Sequence, residues 1–374
     1  MVLYTVTAAV VILLSYFVCE RQPITAYGTT RRQALSRVCL IAVFTILFLL
    51  SALRMEVGND YKNYAVTCHE IWMEGHVVTE AGFNFIVRLI YTLAGCENYI
   101  IVFAVFAFFT IGIFLKTFRN DSESFFLSMF LFMTLGIYFR TFNTVRYYFV
   151  LAVALYSLHH VVKKQYVYFI LLIAVAALFH KSVLIVIPLY LAATFLSKKW
   201  QYILLAAGGA AVYLGKDFVM WIALKLYPSY VNTGFVESGE SIMSNLPNIG
   251  RCILVLLLCL AFYKEAIAEN GANRLYFNLN FMAILLYICG SYIPLLSRFS
   301  YYLIVPHMLL IPGVIMKIPD EKKKKIVLMI TIVIGIAYFA WFLKTASGEG
   351  VRVLPYRTWI MDGMKEYLYA NEVL

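Results

Sequence analysis

The chain has 374 residues, 63% of them hydrophobic and only 14% charged, with a mean hydropathy of +0.81. An ordinary globular chain carries about 25% charged residues. So few charges cannot cover a soluble surface, which excludes soluble enzymes, disordered tails and disulfide-framework modules and leaves an all-α polytopic membrane protein. The net charge of +11 then reads as cytoplasmic loop charge, and no nucleic-acid partner is expected.

Crossing an apolar core of about 30 Å takes roughly 20 residues. In chain order the candidate spans are 2–19, 37–53, 98–118, 124–140, 144–162, 165–180, 182–197, 200–220, 248–263, 275–293, 298–316 and 325–344, about 12 transmembrane helices. No internal repeat, Pro/Gly-rich linker or low-complexity stretch divides them, so residues 1–374 read as a single integral membrane domain. The first run has no basic residue ahead of it and Arg21, Arg31, Arg32 and Arg37 behind it, which marks an uncleaved span with its N-terminus outside.

One segment decides the topology. Gly82 to Gly95 reaches only about 20 Å as a helix and carries Arg88 in its middle. Asn84, Arg88 and Thr92 share one side, and Phe85, Ile86, Leu89, Ile90 and Leu93 the other. This is a short amphipathic helix, laid at the outer face or re-entrant, that does not cross. The basic clusters at Arg21 to Arg37, Lys116/Arg119, Lys163/Lys164, Lys198/Lys199, Lys264/Arg274 and Lys317 with Lys322 to Lys325 then fall on one side, the cytoplasm. Both termini lie outside. The outer face holds a loop at 54–97, a loop at 228–247 and a C-terminal tail at 345–374. Glu237 and Glu240 stand in the second loop, which reads as a solvated loop or a lid over substrate.

The few cations on the outer side are oddly placed. Arg146, Lys181 and Arg298 stand in or just before the first turn of helices whose N-termini point outward, with Asn143 or Thr144, Ser182 and Ser297 as N-caps. A helix N-terminus already carries about half a positive charge. With Arg140 added, the set asks for a multivalent anion such as a pyrophosphate. The alternative for each Arg by itself is an interfacial anchor. The runs 166–179 and 183–196 are shorter than a full span, so His180 and Lys181 are expected at a recessed junction where ionisable groups become functional candidates.

No His, Cys and carboxylate spacing matches a metal site, and no glycine-rich phosphate loop is present. Catalysis without metal, nucleotide or other cofactor is expected. Among the seven cysteines, Cys68 and Cys96 share the outer region, where a disulfide is worth testing.

The string Phe142-Asn-Thr-Val-Arg-Tyr-Tyr148, followed by Phe179-His-Lys-Ser-Val183 and Ile187-Pro-Leu-Tyr190, resembles the EpsG family of Wzy-type bacterial polysaccharide polymerases. Val57-Gly-Asn-Asp-Tyr61, Arg298-Phe-Ser-Tyr-Tyr302 and Leu354-Pro-Tyr-Arg-Thr358 extend the similarity over nearly the whole chain, in the family's order. Tyr147 departs from it, standing where a Gln is expected. The resemblance implies a membrane glycosyltransferase at the outer face of the bacterial cytoplasmic (inner) membrane. Its donor and acceptor are repeat units on undecaprenyl pyrophosphate, and its expected partners are membrane lipid, a chain-length regulator and a flippase.

Arg140, Arg146 and Arg298, with Lys181 as a weaker fourth, are the residues expected to bind the leaving pyrophosphate, because guanidinium forks match phosphate oxygens and keep their charge. His180, with an unperturbed pKa of about 6.5, and Asp60 are rival bases for the acceptor hydroxyl, Asp60 having the plainer alternative of shaping a turn. Tyr61 and Tyr64 are candidates to stack on sugars. Asn143 and Arg357 fall within the matching strings as substrate-binding candidates. Outside the polymerase reading stand a transporter flipping a lipid-linked saccharide, an O-antigen ligase-like enzyme and an acyltransferase.

Overall fold

The computed structural model describes residues 1–18, 30–218, 221, 225, 242–290, 294–348 and 351–362, without the side chains of 242–244, 294–298 and 361–362. Among these residues the secondary structure is helical, with a lone β-bridge between Arg54 and Thr358. The chain runs through α1 (Val2–Tyr16), α2 (Arg31–Ala52), α3 (Tyr61–Trp72), α4 (Ala81–Ala94), α5 (Tyr99–Asp121), α6 (Phe125–Thr134), α7 (Ile137–Arg140), α8 (Val145–Val162) and α9 (Tyr166–Ala177). A 3-10 turn over Lys181–Ile185 leads into α10 (Val186–Phe195) and α11 (Lys199–Leu214). Beyond them come α12 (Ile242–Ala261), α13 (Gly271–Cys289), α14 (Pro294–Ile304), α15 (His307–Met316) and α16 (Glu321–Thr345).

Arg31–Ala52, Tyr99–Asp121, Val145–Val162, Phe299–Met316 and Glu321–Thr345 are long and apolar enough to cross a membrane, and Val2–Tyr16, Phe125–Thr134, Tyr166–Ala177, Lys181–Phe195 and Asn245–Ala261 are shorter apolar helices. The protein is a multi-pass α-helical membrane protein, with fewer full-length spans among the described residues than the dozen expected. The break in one expected span accounts for part of the difference. The expected span 124–140 is split at Gly136, whose φ of +69° and a would-be Cβ 2.7 Å from the Phe342 ring require glycine. The expected span 298–316 is found as Phe299–Met316, with a local irregularity before Pro306. Proline has no N–H for the Tyr302 carbonyl four residues back, and the Tyr190 hydroxyl donates to that carbonyl instead, at 2.8 Å.

Helix starts follow the local sequence. Thr30 and Gln33 form a capping box at α2, and Asn98, Ser124, Asn270 and Asp320 each accept a main-chain N–H at the starts of α5, α6, α13 and α16. The 299–316 window is 83% buried and lies at the centre. The Glu321–Thr345 window is only 22% buried, so α16 is peripheral and faces lipid.

The segment expected to be amphipathic is α4, ended by Gly95 in the left-handed conformation. Its buried stripe differs from the expected one. Phe83, Val87 and Tyr91 pack against α3 and the first turns of α5 in a second hydrophobic cluster. Phe85, Leu89 and Leu93 stay exposed, a free apolar edge of the kind that lies in a membrane interface. Gly82 seats α4 on the short helix α9. Its N–H donates to the Leu178 carbonyl at 2.8 Å, and a Cβ there would stand 2.7 Å from that oxygen. The His180 junction therefore lies under the start of α4.

Candidate functional site

Three of the strings singled out in the sequence meet. Gly58, at φ +105°, lies so close to the Phe142 carbonyl that any side chain would overlap it. Thr144, at the start of α8, makes no cap bond to its own helix and donates its hydroxyl to Asp60 Oδ2 at 2.6 Å. The C-terminal strap closes over this junction. The Gly58 N–H donates to the Arg352 carbonyl (2.8 Å), Met55 N–H to the Arg357 carbonyl (3.0 Å), and the Tyr356 hydroxyl to the Leu50 carbonyl (3.0 Å).

Beside it stands a compensated cationic centre. Arg146, the second residue of α8, forms an ion pair with Glu80, and the two side chains are only 16% and 13% exposed. Its Nε donates to the Tyr64 hydroxyl at 3.4 Å. Glu80 does not cap α4, at whose start it stands; its other oxygen accepts the Lys181 N–H at 3.0 Å. The carboxylate thus joins α8 to the 3-10 turn. His180 caps that turn by accepting the Ser182 N–H on Nδ1 at 3.3 Å, a role expected of Ser182. An accepting Nδ1 carries no proton, which places the ring proton on Nε2. Ser182 Oγ lies 2.8 Å from His180 Nδ1 and 2.8 Å from the Tyr302 hydroxyl, and Tyr147 packs its ring against both His180 and Tyr302.

A second centre is built on Arg140, at the end of α7, and Arg251, in α12. Arg140 Nη1 donates to the Tyr301 hydroxyl at 2.6 Å, and Arg251 Nη2 donates to Asn248 Oδ1 at 3.1 Å. The Nε atoms of both are buried with no hydrogen-bond partner. Tyr287, Tyr301 and Tyr338 lie within electrostatic range of both guanidinium groups, and Tyr148 within range of Arg140. Among the described residues neither Arg140 nor Arg251 has a carboxylate partner. Tyr147 and Tyr302 therefore serve the Glu80 centre, and their chain neighbours Tyr148 and Tyr301 the Arg140 centre.

Other candidates sit apart or are changed by their surroundings. Arg298 is the fifth residue of α14 rather than part of its first turn, and its side chain lies outside the described residues, as do Glu237 and Glu240. Tyr61 and Tyr64 are buried in the aromatic cluster of α3, α4 and α5 and offer no ring face to a sugar. Tyr61 donates to the Arg54 carbonyl at 3.3 Å. The Lys181 side chain is exposed, so that residue enters the centre through its main chain. Asn143 Oδ1 is buried without a hydrogen-bond partner. Arg357 pairs with Glu56 at 3.0 Å, and Lys62 shares the same carboxylate. Burial opposes ionisation of Glu56, but Lys62 and Arg357 outweigh it and hold the carboxyl below its ordinary value. Cys68 and Cys96 are free thiols; burial pushes Cys68 up to about 12, which makes it a poor nucleophile. No group of three or more His, Cys, Asp or Glu among the described residues could hold a metal ion.

The sequence reading missed Glu80 and Arg251. Glu80 carried one usable signal, an isolated carboxylate at the start of an outer amphipathic helix. Arg251 follows Pro247 and Asn248 at the head of an apolar run, where it reads as a span flank.

Short broken helices thus surround two partly buried cationic centres in a multi-pass helical membrane protein. Residues 37–358 match the model of the EpsG family, and the chain belongs to that family, a Wzy-like polysaccharide polymerase family. No curated protein and no solved structure gives a significant match.

Proposed function

We propose that the protein polymerises oligosaccharide repeat units carried on undecaprenyl pyrophosphate, at the outer face of the cytoplasmic membrane, with both termini outside. The observation that carries the reading is the Arg140–Arg251 centre, two partly buried guanidinium groups among tyrosine hydroxyls with no carboxylate partner among the described residues. A buried cation without a counter-charge costs several kcal/mol, which a bound anion recovers. The pyrophosphate that leaves when the donor's anomeric C–O bond breaks has the charge and forked oxygens to match. Arg298 keeps its proposed place on spacing alone, three residues before Tyr301.

The acceptor hydroxyl attacks the anomeric carbon and loses its proton. Asp60 is the preferred base, since Thr144 occupies one of its oxygens and the other retains acceptor capacity. His180 carries its proton on Nε2 and is better suited to donate a hydrogen bond to the acceptor or the leaving group. Both Glu80 oxygens are engaged, which makes it a positioning residue. The transporter reading gains little support from the polar interior. Asn273, Asn278 and Asn280 each spend amide donors on main-chain carbonyls, of Ala266, of Ala193 and Leu196, and of Cys252, so they brace helices rather than line a path.

Reconstitution with lipid-linked units tests the proposal. The wild type is expected to form long glycan, and Asp60→Asn to lower the rate by about 10²-fold or more. Movement of intact units between leaflets without polymer would overturn it.

A further inference from the structure

A second candidate site lies toward the other end of α5, about 20–25 Å along the helix from the Tyr61 region. A cleft of about 500 Å³ opens between α2 and α5. Leu40, Ile41, Phe44, Gly112 and Leu115 form its apolar wall, and Lys116, Arg119 and Asn120 its polar rim. The α2 face that leads to it is lipid-facing, since Leu35, Val38 and Ile41 are 47%, 63% and 64% exposed. Gly112 lies in the floor, where a Cβ would meet only the Phe44 ring, at an ordinary 3.8 Å.

Among the described residues the charge at the rim has no carboxylate partner. Lys116 Nζ stands 4.6 Å from the Tyr156 ring centroid, and Arg119 Nε is buried with no hydrogen-bond partner. The nearby carboxylates serve elsewhere: Asp121 meets His159 Nδ1 at 2.5 Å, and Glu123 faces Lys317 at 3.6 Å. Among the described residues neither rim cation forms an ion pair. A lipid-facing apolar groove with two cations and an amide at its polar end has the chemistry of a phospholipid site, with room for a headgroup and the upper part of an acyl chain. We propose that this cleft binds one anionic phospholipid, its phosphate between Lys116 and Arg119 and its chain against Phe44 and Leu115. The net charge of the rim selects an anionic lipid over a zwitterionic one. The proposal does not depend on the polymerase reading.

Native mass spectrometry of the full chain, delipidated and offered equal phosphatidylglycerol and phosphatidylcholine, tests it. The wild type is expected to retain phosphatidylglycerol at least tenfold over phosphatidylcholine. The double variant Lys116→Gln/Arg119→Gln should lose that preference, and Gly112→Leu, which fills the groove without touching its charge, should lose the lipid. Both variants should still polymerise lipid-linked units in reconstituted vesicles. Equal retention of the two lipids by the wild type, or unchanged retention in both variants, would overturn the site. So would equal binding of glycerol phosphate alone, which would show a headgroup pocket with no use for the groove.

Discussion

Arg146 and Arg140 stand six residues apart, and their surroundings differ in one decisive respect. Arg146 meets Glu80, a carboxylate that also holds the start of the 3-10 turn at Lys181. Arg140 meets a phenol, Tyr301, and shares its tyrosine neighbours with a second cation, Arg251. A compensated charge organises the protein around it; one without a carboxylate partner among the described residues is, in the proposed function, the one that takes the ligand. Charge placement along the chain treats the two arginines alike, and the difference arises wholly from what packs against them.

The largest expected effect comes from the uncompensated side. Arg251→Ala or Arg140→Ala should reduce chain extension by about 10²-fold or more, the scale for loss of a group that stabilises developing charge. Lysine at either position should restore part of it, since charge returns without the fork. The measurement is glycan length distribution from reconstituted protein, and normal lengths in both alanine variants would erase the distinction between the centres. On the compensated side, Arg146→Ala and Glu80→Gln should each destabilise the protein, while the double variant should do little more harm than either alone. A coupling of about 1–3 kcal/mol in thermal or denaturant unfolding is expected for such a partly buried pair. Strict additivity would mean that Glu80 is not Arg146's working partner.

The smallest effects come from the tyrosines that divide the centres. Tyr301→Phe removes the side-chain hydrogen bond that Arg140 makes to Tyr301 and should weaken donor use several-fold, measured as a rise in donor KM, with stability little changed. Tyr302→Phe removes the hydroxyl beside Ser182 and should shift stability by about 1 kcal/mol, with donor KM unchanged. If the two variants behave alike, the tyrosine pair does not divide the two centres.

Much of the fold was legible in the residues themselves. Helix positions followed apolar runs and capping residues, because a helix satisfies its own main chain and needs only local sequence to declare it. Arg146 and Lys181 were placed correctly at helix starts for the same reason. Gly136 broke an expected span and Pro306 made another irregular without ending it, and each feature is explained by a partner far along the chain, Phe342 for the glycine and Tyr190 for the carbonyl freed by the proline. Tyr61 and Tyr64 misled because aromatic residues on a loop suit a sugar as well as they suit a core, and only packing by α4 and α5 chose the core.

The residues on their own determined that the chain is a helical membrane protein, where most helices begin and end, and that Arg146 and Lys181 stand at helix starts, since hydropathy, capping and charge are local properties. The tertiary structure decided which cations are neutralised. Glu80 reaches Arg146 across 66 positions and Tyr301 reaches Arg140 across 161, and electrostatic energy depends on distance in space, which the order of residues does not contain.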